Sequence, residues 1–284
     1  MKFDGNRAWN DAVRAMSANR EVLLVMAGVF FFLPGLVAVV FLSGYQAEMA
    51  ASMAAVMAAP KNPVALQQMI RAYGNVAPFF ILLLLVQTLG YMAMLALLTD
   101  DRRPTVGEAM AIGVRSLPAL IGAILIFFLG YVLASLPMGL VLMACVIALG
   151  PQLGGAIGFT IDMVVMIVIV IRLALTLPVI VIDRLHRPFA ALQRSWQITR
   201  GHALRLIAFF VMLGIAYIVL SIALSAMLNL LLAVIGTGPG FVLISGAISG
   251  VIGAATSIVL TAILAAIHRQ LSGPRRSAIG ENYL

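Results

Sequence analysis

Four long stretches of the chain contain no Asp, Glu, Lys or Arg: Val22–Ala47, Asn75–Thr99, Ser116–Ile161 and Leu206–Ile267. A helix needs roughly 20 apolar residues to cross a bilayer. The third and fourth stretches run to 46 and 62 residues, so each has room for two crossings. The pattern predicts six spans, at 22–43, 76–98, 117–148, 156–182, 203–234 and 240–267. The breaks that separate them are turn-like: "GPQLGG" at Gly150–Gly155 and "GTGPG" at Gly236–Gly240. Several spans exceed the minimum length, which calls for tilting or for turns outside the hydrocarbon. Pro34, Pro137 and Pro178 are the expected kink points. The connection Gly44–Asn75 reads as two short helices broken at Pro60 and Pro63.

Polar positions are sparse and grouped. The passage "PFAALQRSWQITRG", Pro188–Gly201, has helical periodicity. Phe189, Leu192, Trp196 and Thr199 share one face, and Arg194 falls opposite Trp196. Pro188 suits a first helical position and Gly201 suits the end. Trp is favoured where its ring meets hydrocarbon and its N–H meets water. The segment is therefore expected to be an amphipathic interfacial helix, with Arg200 and Arg205 near headgroup phosphates. "AWNDAVRAMSANR" (Ala8–Arg20) and "TVGEAMAIGVRSLP" (Thr105–Pro118) stand in the same place before the first and third spans. Two readings are open. Either the chain is one membrane domain of three repeats (1–100, 101–183 and 184–272, each an interfacial helix plus a helical hairpin) with a tail at 273–284, or any chain with basic segments before its odd spans would look alike.

Composition fixes the class. Of the 284 residues, 63% are hydrophobic and 10% charged, against about 25% charged in soluble proteins. The fold class is all-α, a polytopic integral membrane protein with cytoplasmic interfacial helices. The first apolar run is longer than a signal-peptide core and is read as a span. The N-terminal segment, the 99–116 loop, the 183–205 region and the C-terminal tail hold 15 of the 18 Lys and Arg residues. Basic residues stay in the cytoplasm, so both termini are expected there. The net charge of +8 then faces anionic headgroups. Membrane lipids are the expected partners, together with a second copy or another membrane protein. Nucleic acid is excluded, since no domain outside the membrane is large enough to read bases. Cys145 is the lone cysteine, so no disulfide or thiolate metal site is available. No metal and no cofactor is expected.

Within the spans, three features call for an explanation. Arg172 falls about ten residues before the end of the fourth span and is expected near mid-membrane. An arginine there is costly, and it either binds a lipid phosphate or carboxylate or locks helices through backbone carbonyls. Asp162 is too far along the same helix to pair with it and is placed near the outer surface. Gly246, Gly250 and Gly253 line the sixth span as small residues that let helices approach closely.

The stretch "RLALTLPVIVIDRLHRPFAALQRSWQITRGHALRLI" resembles the signature of a bacterial six-span family. That family includes the membrane domain attached to some glycerophosphodiester phosphodiesterases, and related stand-alone membrane proteins. The resemblance is carried by Arg172, Pro178, Asp183, Pro188, Ala191, Leu192, Arg194-Ser195-Trp196 and Thr199-Arg200-Gly201. It implies a lipid-headgroup connection, and with it a binding role for Arg172, Asp183, Arg194, Ser195, Trp196, Thr199 and Arg200. It does not imply catalysis. The family's hydrolytic domain carries an early His-Arg-Gly motif, whereas His186-Arg187 here precedes Pro188 and His268-Arg269 precedes Gln270. The ten acids are scattered, and a divalent metal needs converging carboxylates.

These observations lead to the expectation of a non-catalytic membrane protein that binds or moves a lipid or other amphiphile. The alternatives are a membrane scaffold for envelope integrity or partner recruitment and, as a minor one, an intramembrane enzyme.

Overall fold

The computed structural model describes residues 3–59, 61–99, 104–236 and 238–272. Every regular element among them is helical. Helix α1 (Gly5–Ala18) is capped by Asp4, whose carboxylate accepts from the Asn6 and Arg7 backbone N–H groups at 3.0 and 3.2 Å. α2 (Arg20–Ala27) passes through a π turn, Gly28–Phe32, into α3 (Leu33–Ser43). Pro34 is the second residue after that turn. Its missing N–H leaves the preceding turn one bond short, and a π turn is a usual way for a helix to absorb such a defect. α4 (Gln46–Ala58) precedes α5 (Pro63–Thr99), α6 (Val106–Leu173), α7 (Thr176–Ile182), α8 (Pro188–Thr199), α9 (Ala203–Ile235) and α10 (Pro239–Ser272).

Five stretches are long and apolar enough to cross a membrane: Arg20–Ser43, Pro63–Thr99, Val106–Ile182, Ala203–Leu230 and Gly240–Ser272. The third, at 77 residues, would be about 115 Å long if straight. It is not straight. Gly150 has φ 83 and ψ 165, a conformation that L side chains avoid. Beyond it the chain lies back against itself: a Cβ added to Gly154 would overlap the Cys145 carbonyl and Val146 Cα, and one added to Gly158 would overlap Leu142. α6 therefore has a first arm, 106–149, and a second arm, 151–173.

Four sequence expectations need correcting. The expected span 156–182 is not continuous, because the helix stops at Leu173 and restarts as α7. Pro178 is responsible: it cannot donate to the carbonyl four residues back, and its ring crowds that turn. The second short helix expected in the 44–75 connection is instead the first part of α5, which is 37 residues long; Pro60 lies outside the described residues. The expected interfacial segment Thr105–Pro118 is not separate from the span. A capping box between Thr105 and Glu108 starts one helix that runs through Pro118 unbroken, as prolines in membrane helices can. Finally, Asp162 is not near an end: it lies eleven residues from each end of the second arm.

α10 is the central element and touches α1, α2, α3, α5, α7, α8 and α9. Its residues Thr261–His268 are all buried, as expected of a helix surrounded by protein. Higher along it, Gly246 and Gly250 meet α3 and the π turn. A Cβ at Gly250 would lie 2.9 Å from the Phe32 ring, and one at Gly246 3.0 Å from Leu36. Gly253, expected to share this packing, faces open space. The buried cluster gathers Leu23, Met92–Ala96, Ala119, Val179–Val181 and Ala262–Ile267. All of these belong to one end of the bundle, the end where α1 and α8 lie. The other end exposes most of its apolar side chains, with Ala65, Ala72 and Val76 buried.

Candidate functional site

The α6–α8 junction assembles from a broken helix. The Arg172 carbonyl, at the last turn of the second arm, accepts the Ser195 hydroxyl at 2.8 Å and has Thr199 Oγ1 at 3.3 Å. A backbone acceptor at a buried helix end needs such partners. The same residue's guanidinium carbon lies 4.6 Å from the centroid of the Trp196 ring, a cation–π contact worth about 0.5–2 kcal/mol. One stretch of α8 thus holds both ends of Arg172. Arg172 sits level with α8 rather than half-way along a span, because the break before Pro178 moved the helix end up to it. Ser195 and Thr199 are wholly buried, while Trp196 is 42% exposed.

The face of α8 that turns inward is lined mainly by small residues. Ala191, Ser195, Ile198 and Thr199 face the core, while Phe189, on the apolar face predicted from the wheel, is exposed. The small inward residues let α8 lie close to α6 and α7. We expect the double variant Ser195→Ala/Thr199→Val to lower stability by about 1–3 kcal/mol, because it strands the Arg172 carbonyl. Denaturation in mild detergent reads this, and Ser195→Ala alone should cost less, since Thr199 remains within reach.

The turn out of α7 brings a second group together. Arg184 has a left-handed backbone, φ 52, which redirects the chain toward α8. Asp183, capping α7, lies 3.4 Å from His268 Nε2 and 3.9 Å from Arg194 Nε. His268 is 2% exposed. Its Nε2 is close to the carboxylate without being aligned as a hydrogen bond, and its Nδ1 has no partner among the described residues. Arg172 Nε and Thr176 Oγ1 are likewise buried without a partner. Buried polar atoms in native proteins are nearly always satisfied, so the region around α7 has hydrogen-bonding capacity that the described residues do not use.

Of the residues singled out from sequence, the structure brings Arg172, Ser195, Trp196 and Thr199 into one contact group and Asp183 and Arg194 into the next. Arg200 is exposed and joins neither. Sequence reasoning missed His268. Its one visible signal was a histidine in the last turns of an otherwise apolar helix. Reasoning from sequence also missed a groove of about 480 Å³ between α1 and the ends of α5 and α10, lined by Arg7, Asp11, Arg14, Asn19, Arg269 and Gln270. Its signal was the spacing of Arg7, Asp11 and Arg14 on one face of α1. Among the described residues, no three of His, Cys, Asp or Glu are placed to hold a metal ion.

Residues 149–273, a little under half of the chain, match the family model described as "Membrane domain of glycerophosphoryl diester phosphodiesterase". The match covers the second arm of α6, α7, α8, α9 and α10, and so the whole of the α6–α8 junction. It is to the membrane domain of that enzyme family and not to its hydrolytic domain. No curated protein and no solved structure matched the chain.

Proposed function

We propose that this chain is a non-catalytic, lipid-associated protein of a bacterial inner membrane, and that the α6–α8 junction takes the anionic headgroup of a lipid or similar amphiphile. The observation that carries the reading is Arg172. Its guanidinium is steadied on the Trp196 ring, its backbone is fixed by Ser195 and Thr199, and its buried Nε has no acceptor among the described residues. A preorganised guanidinium with a free donor suits a phosphate oxygen. Arg194 and Arg200, on the exposed side of α8, add positive charge at the same level.

In this reading the fold-back at Gly150 makes α6 two crossings, for six in all, with both termini and α1 and α8 on the cytoplasmic side. The order of interfacial helix followed by two crossings then recurs at 1–100 and 184–272. In 101–183 the interfacial part is fused to its crossing. The three-repeat reading is retained on that basis.

Native mass spectrometry of protein extracted in mild detergent tests the assignment. The wild type should carry a co-purified phospholipid, and Arg172→Ala should lower its occupancy about tenfold or more. Retention of the same lipid by the variant would overturn the headgroup assignment and leave the scaffold reading in its place.

A further inference from the structure

Asp162 is the one charged residue between Arg115 and Arg172. It lies midway along the second arm of α6, about 16 Å from either end at 1.5 Å per residue. A carboxylate at that depth is costly and normally has a partner. Among the described residues Asp162 has neither a hydrogen bond nor an ion pair. Arg172, on the same arm, is ten residues away along the helix, about 15 Å, and no ion pair joins Asp162 to Arg205 of α9 among the described residues.

Asp162 also lines a groove. Between the second arm and α9 there is an open cleft of about 490 Å³, walled by Phe159, Met163, Met166, Ile167 and Phe210. Its size is that of a small-molecule site. α9 is the least buried of the five apolar stretches, at 11% against 33–50% for the other four. One wall of the cleft is therefore left uncovered by the rest of the protein.

Two aromatic rings, two thioethers and a single carboxylate, at mid-membrane in the six-crossing reading, form a surface of defined chemistry. Aromatic rings attract cations through their π faces, the sulfurs are polarisable, and the carboxylate supplies the counter-charge. An anion or a neutral acyl chain would leave the carboxylate unmatched. We infer that the α6–α9 groove binds a lipophilic organic cation, a hydrophobic molecule bearing an onium or protonated-amine group, with Asp162 as its counter-ion. This site is separate from Arg172 and does not rest on the headgroup assignment.

The probe is tetraphenylphosphonium, in equilibrium dialysis against the full chain in lipid nanodiscs. Tetraphenylborate, of like shape and opposite charge, is the control. Wild type should bind the phosphonium saturably, and Asp162→Asn should weaken it about tenfold or more. The borate should gain nothing from Asp162. Val211→Trp, which fills the cleft from α9 while keeping the carboxylate, should also abolish phosphonium binding. Neither change disturbs a buried contact, so both variants should remain folded. Equal phosphonium binding by wild type and Asp162→Asn would overturn the proposal. So would unsaturable partitioning, or binding that survives Val211→Trp.

Discussion

Gly154→Leu should destabilise the protein by about 3 kcal/mol or more, the upper end of the range for overpacking. A side chain at residue 154 has nowhere to go, because the first atom added would meet the backbone of Cys145 and Val146. A flexible neighbour could swing away, but backbone can yield only if the two arms of α6 separate. Gly155→Leu, one residue on, meets nothing within 4 Å and is the control. It should stay within about 0.5 kcal/mol of wild type, as for a surface change. Unfolding midpoints in a detergent–denaturant titration give the comparison. If the two variants behave alike, the arms do not fold back on each other, and the six-crossing arrangement goes with them.

His268→Ala should be the next most damaging change, at about 3 kcal/mol. The side chain is 2% exposed on the central helix, and truncation leaves a cavity that the surrounding helices cannot close fully. The contact with Asp183 adds less. Asp183 retains Arg194, and that pair is weak because the Arg194 side chain is 44% exposed. His268→Phe separates the two contributions: it refills most of the volume without a partner for Asp183, and it should cost about 1 kcal/mol. The same titration reads both variants. A Phe variant as unstable as the Ala variant would place the cost in the Asp183 contact rather than in packing.

Both variants act at places the sequence leaves open. The periodicity around Gly150–Gly155 marks a break, but a break between two apolar helices can be a kink or a reversal. The left-handed Gly150 and the small residues at 154 and 158, four apart, decide for reversal, and only their neighbours show it. His268 sits in the sequence beside Arg269, where it reads as part of a basic helix end. Its partner Asp183 is 85 positions away in the chain, and no local pattern connects them.

α8 shows the same division within one element. Pro188 at the first position and Gly201 with φ 85 were legible as its start and stop, since both act through their own backbone. Which face turned inward was not legible. The wheel grouped Phe189 with Trp196 as the apolar face of an interfacial helix and did not show that Ala191, Ser195 and Thr199 turn to the core. The large apolar residues could stay outside because the outside is expected to be hydrocarbon and headgroup.

The sequence by itself determined the solvent and the elements: long uncharged runs cannot be covered by water, and helices are what such runs must form in lipid. It also marked the basic end and the bounds of α8, which depend on residues acting locally. The tertiary structure decided where helices stop, which faces meet, where Arg172 and Asp162 fall along their arm, and which polar atoms lack partners among the described residues. The reason is that lipid tails and protein interiors are equally apolar, so hydrophobicity does not distinguish a helix face that packs from one that faces the bilayer. Close fit between helices makes that distinction, and fit is a property of two surfaces together.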